Sequence, residues 1–60
     1  MEEILCRVFA VTEKGIVDTK KEIKLNLVQY GITQVDIGKE RVVAWVIGKG
    51  LVAVPKKWLD

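Results

Sequence analysis

Sixty residues with a formal charge of +2 make one small domain, near the lower size at which a core without disulfide or metal support is self-sufficient. There is no His, and Cys6 is the single cysteine, which excludes imidazole bases, Ser-His and Cys-His pairs, internal disulfides and multi-Cys metal sites. Half of the residues are hydrophobic, more than so small an interior hides, so part of that surface is expected against another copy or a partner.

The opening Met1-Glu2-Glu3 is acidic where a signal sequence is basic, and Arg7 interrupts the apolar run behind it. No run reaches membrane-spanning length, so no membrane is expected and a cytoplasmic location is. Residues 1–30 carry five acids and five bases while residues 31–60 carry three acids and five bases, which puts a weak cationic surplus in the second half. Ser is absent, Asn occurs once and Gln twice, a composition resembling that of heat-adapted proteins. Cys6 lies in an apolar run and reads as an inert core residue.

Residues 4–12, ILCRVFAVT, read as a first strand that ends at the polar break Glu13-Lys14-Gly15. A hairpin with Gly15 in the left-handed position follows, and Ile16 and Val17 resume the extended chain. Residues 18–31, DTKKEIKLNLVQYG, carry two periods. Thr19 with Glu22 forms a capping box, Gly31 could stop a helix, and Ile23, Leu27 and Tyr30 share a helical face. Against this, Ile23, Leu25 and Leu27 alternate with Lys24 and Asn26, and the strand pattern leaves no apolar residue unexplained up to Leu27. Strand is the favoured reading.

Residues 32–59 alternate runs of Val, Ile and Leu with glycine-bearing breaks, the pattern of consecutive antiparallel strands. Strands are predicted at 32–37, 41–47 and 50–54. A turn at Gly38-Lys39 sets Asp36 opposite Arg41, Val35 opposite Val42, Thr33 opposite Ala44 and Ile32 opposite Trp45. A turn at Gly48-Lys49 sets Val46 opposite Leu51, Trp45 opposite Val52, Ala44 opposite Ala53 and Val43 opposite Val54. One face then carries Val35, Val42, Ala44, Val46, Leu51 and Ala53, the other Ile32, Val43, Trp45, Val52 and Val54. Both are apolar, so the sheet must be covered twice. The N-terminal hairpin and the Ile23 to Leu27 segment can cover one face by curling round. The other is covered either by the same curled sheet or, as the preferred answer, by a second subunit docking on Ile32, Val43, Trp45, Val52 and Val54.

Gly50-Leu51 followed by Val54-Pro55-Lys56-Lys57-Trp58-Leu59 is similar to the close of SH3-like barrels, in which a strand ends in a Pro-led turn and an aromatic returns to the sheet. The resemblance implies a small barrel with Trp58 and Leu59 tucked over its open end, and implies no function. Glu22-Ile23-Lys24 through Gly31-Ile32-Thr33-Gln34-Val35-Asp36-Ile37-Gly38-Lys39-Glu40, with Val43 to Gly50, resembles a helix-turn-helix of phage-repressor type. That pattern lacks its turn between Glu40 and Val42, and its recognition helix would be crowded with Val42, Val43, Val46 and Ile47.

Basic residues interleaved with aromatics are the one constellation with binding chemistry. Arg41, Lys49, Lys56 and Lys57 could meet phosphates while Trp58 or Trp45 stacks on a base. The bland reading makes both Trp residues core or interface anchors and the lysines solubilising. The carboxylates, Asp60 among them, fall mostly at turns and ends with no spacing for acid-base work, and Gly38, Gly48 and Gly50 match no phosphate loop. No enzyme, metal or cofactor is therefore expected. The whole chain reads as one all-β domain, a small five-stranded SH3-like barrel or curled antiparallel meander, with α+β carrying one helix at about residues 20–30 as the alternative. Its expected work is binding and assembly as a homo-oligomer, with nucleic-acid binding as the second possibility.

Overall fold

A computed structural model describes residues 2–59; Asp60 lies outside them. Five antiparallel strands form one sheet: β1 (Ile4–Thr12), β2 (Gly15–Leu25), β3 (Gly31–Ile37), β4 (Glu40–Gly48) and β5 (Leu51–Pro55). Two single-turn 3-10 segments, Leu27–Gln29 and Lys56–Trp58, follow β2 and β5. The spatial order is β2-β1-β5-β4-β3. The meander β3-β4-β5 is thus joined to the N-terminal hairpin through β1 and β5, and β2 and β3 are left as the two edges. The sheet is a curled meander and does not close into a barrel.

The helical alternative for residues 20–30 is overturned. Strand β2 runs on to Leu25, and Asn26 then caps the short turn by accepting a bond from the Val28 amide at 3.4 Å. The helix-turn-helix resemblance falls with it, since residues 31–37 and 40–48 are strands. Thr19, read as a helix cap, instead sits in a bulge. Val8 pairs with Lys21 and Phe9 with Asp18, so Thr19 and Lys20 have no residue opposite them on β1. The Thr19 hydroxyl donates to the Val8 carbonyl at 2.7 Å, the Asp18 carboxylate accepts from the Lys20 amide at 2.7 Å, and Lys20 takes a left-handed φ of 64°. The side-chain oxygens that cap helices here satisfy amides freed by a bulge.

The β3-β4 hairpin has the expected register, with Ile32 opposite Trp45, Thr33 opposite Ala44, Val35 opposite Val42 and Asp36 opposite Arg41. Gly38 at the first turn position has φ 64°, the conformation a two-residue II′ turn requires there. The β4-β5 register differs from expectation. The turn is Lys49-Gly50, with Gly50 at φ 68°, and Trp45 pairs with Ala53, Val46 with Val52 and Gly48 with Leu51. Ile47 is the extra residue of a bulge. The Gly50 carbonyl accepts a 2.7 Å bond from the Val11 amide, which ties this turn to the end of β1.

That shift exchanges the two sides of β5, because side chains alternate along a strand. Val52 and Val54 join Phe9 and Ala44 in one buried cluster, flanked by Ile16, Val35, Ile37, Val42 and Leu59. Ala53 joins Cys6 and Leu27 in a second cluster, flanked by Ile4, Leu25, Trp45 and Ile47. Both faces are apolar, as expected, and each carries its own small core.

Candidate functional site

The second cluster opens to solvent. Trp58, brought back by the Pro-led turn, packs its ring on Trp45 at 5.7 Å between centroids and 41° between planes, within the range of favourable aromatic pairs. Leu59, the next residue, goes to the opposite side and packs on the Phe9 cluster. One turn at the end of β5 therefore serves both faces. Beside the ring pair lies a groove of about 510 Å³ whose walls include Ile4, Tyr30, Ile32, Trp45, Pro55 and Trp58. Val28 and Lys57 stand on its rim. Val28 is 84% exposed, Ile32 68% and Trp58 48%, a concentration of water-facing apolar surface with no role in the core.

The five expected interface residues do not share a surface. Ile32 and Trp45 line the groove, while Val52 and Val54 are buried on the other side against Phe9 and Ala44. Val43 is half-buried opposite Gln34. Sequence reasoning missed Val28, Tyr30 and Pro55 as groove residues. The signal was present in Asn26, whose side chain favours a turn and so throws Val28 outward.

The basic residues are dispersed. Arg41 donates to Asp36 at 3.0 Å at the far end of the β3-β4 hairpin. Lys49 sits in the β4-β5 turn, on the order of 20 Å away at the rise of a strand. Lys56 reaches Glu22 at 3.1 Å. Only Lys57 and Trp58 adjoin the groove, and Lys57 has no ion-pair partner among the described residues.

A second cavity, about 340 Å³, lies between Arg7, Phe9, Ile16 and Asp18 on one side and Ile37 and Gly38 on the other, along the seam where the sheet fails to close. The Arg7 guanidinium spans Asp18 at 3.0 Å and Glu22 at 2.9 Å. Glu22 and then Asp18 hold its pKa above the ordinary value, and in return Arg7 and then Lys56 hold the Glu22 carboxyl low. The Asp18 carboxyl is lowered chiefly by the Lys20 amide and then by Arg7. These paired groups neutralise one another. Cys6 is buried, donates weakly to the Ile4 carbonyl at 3.3 Å and has its thiol pKa raised by burial, the reverse of a reactive cysteine. Among the described residues no helix is long and apolar enough to cross a membrane. The chain matches no protein-family model, no curated protein and no solved structure.

Proposed function

We propose that the chain is a non-enzymatic binding and assembly module that associates with further copies of itself through the Trp45 and Trp58 face. The observation that carries this reading is the groove itself, where Val28, Ile32 and Trp58 hold apolar surface in water around a ring pair. Aromatic anchors in an apolar pocket are what strong interfaces are built on. The flanking charges support a second copy as occupant. Lys57 stands on one side of the groove, and Glu2 adjoins Val28 and Ile4 on another, so two copies facing each other can set opposite charges together. A cytoplasmic setting suits a buried, unpaired Cys6.

The test is mass against concentration by sedimentation or light scattering. The expected result is a species heavier than monomer that grows with concentration, ignores added DNA and is lost in Trp58→Lys, while the strand signal in circular dichroism persists. A monomer at every concentration overturns the reading. Trp fluorescence quenched by single-stranded oligonucleotides, with a steep salt dependence, replaces it by nucleic-acid binding centred on Lys57 and Trp58.

A further inference from the structure

The two edges of the sheet are built differently. Edge β2 carries the Thr19-Lys20 bulge and three lysines, Lys20, Lys21 and Lys24. Bulges and lysines are the means by which proteins keep an edge from pairing with another chain. Edge β3, GITQVDI, has neither a lysine nor a proline, and its register with β4 runs through seven pairs without a shift. Its single charge, Asp36, is matched by Arg41 on β4 at 3.0 Å.

The hairpin also fixes which backbone groups are available. Ile37 and Glu40 flank the two-residue turn, so they exchange main-chain bonds, and alternation gives bonded pairs at Val35, Thr33 and Gly31. The amides and carbonyls of Ile32, Gln34 and Asp36 then face away from β4. Among the described residues no strand is bonded to them, since β3 ends the order, and the Asp36 end faces Ile16 and Asp18 of β2 only across the open seam.

We infer that β3 is a strand-addition edge whose occupant is β3 of a second copy, antiparallel across a two-fold axis at Gln34. Three outward residues spaced symmetrically about Gln34 make the edge self-complementary. Gln34 meets the partner's Gln34, Ile32 meets the partner's Asp36, and no like charges are opposed. The pairing forms about six main-chain bonds and continues the sheet across both molecules. Because Ile32 also lines the Trp45 groove, the added strand lies beside that groove. The inference rests on the self-association reading and specifies the geometry by which it occurs.

Two substitutions and one direct measurement test it. Gln34→Lys opposes two lysines at the axis, and Gln34→Pro removes an outward amide at an edge position where Pro is tolerated. Both are expected to give folded monomers at concentrations where the wild type associates, while Lys24→Gln on β2 leaves association unchanged. Amide hydrogen exchange at Ile32, Gln34 and Asp36 is expected to slow as concentration rises. Association that persists in Gln34→Lys, with those three amides unprotected, overturns the edge and leaves the Trp58 face as the interface. A wild type that is monomeric throughout overturns both readings. If Gln34→Pro fails to fold, Gln34→Lys and the exchange measurement still decide.

Discussion

The two faces of this sheet use the same strands and nearly the same residue types, yet one is sealed over its centre by the chain's own tail and the other is open. On the first face Phe9, Ala44, Val52 and Val54 are buried, Leu59 covers them, and Arg7 is clamped nearby between Asp18 and Glu22. On the second, Cys6, Ala53 and Leu27 are buried under Trp45, but the surface continues outward through Ile32, Val28 and Trp58 without a cover. What distinguishes them is what the chain has left to lay over each. A 60-residue chain with apolar side chains on both sides of its sheet has length enough to cover the centre of one core, and the other is left open.

The sharpest way to break this contrast is to remove the centre of the sealed face. Phe9→Ala is expected to cost about 3–5 kcal/mol. Total stability for a chain of this size is on the order of 3–9 kcal/mol, so urea titration should find the variant largely unfolded. A small shift in midpoint would mean that the Phe9 face is not the principal core.

Acid probes the ion pairs of the sealed face. Asp18 and Glu22 have depressed pKa values when folded. Their contribution is therefore fully present above the ordinary carboxylate range and is lost as pH falls through the lower folded values. The urea midpoint is expected to drop as pH decreases below about 4, and the drop should be shallower in Arg7→Met. Parallel curves for the two proteins would remove Arg7 from the account.

The smallest effect is expected on the open face. Asp36 and Arg41 form an ion pair in which both side chains are 66% exposed, and such pairs contribute about 0.2–1 kcal/mol. Asp36→Asn should shift the urea midpoint within that range and should do so less at high salt. A larger loss would show that the hairpin tip is packed more tightly than its exposure implies.

Much of the fold is legible in local pattern. Ile4 to Thr12 and the β3-β4 hairpin follow from alternation and from Gly38, because a two-residue turn admits one register. The bulge at Thr19 was not legible, because oxygens that satisfy freed amides do so in helix caps and in bulges alike. The groove was half legible. Trp45 and Ile32 were marked by being apolar on a face already full, whereas Tyr30 and Pro55 acquire meaning only when the ends of β2 and β5 are brought together.

The sequence by itself determined that five strands form, roughly where each turns, and that both sides of the sheet are apolar, because these depend on side-chain period and turn chemistry within a few residues. Only the tertiary structure decided which two residues of Gly48-Lys49-Gly50 make the turn. Either choice satisfies the hairpin locally, but a slip of one residue moves Val52 and Val54 together to the other side of the sheet. The choice is made across the chain, where β5 pairs with β1 and Val52 lies opposite Phe9, so that valine and phenylalanine are buried together and Trp58, packed on the half-buried Trp45, is left to face the water.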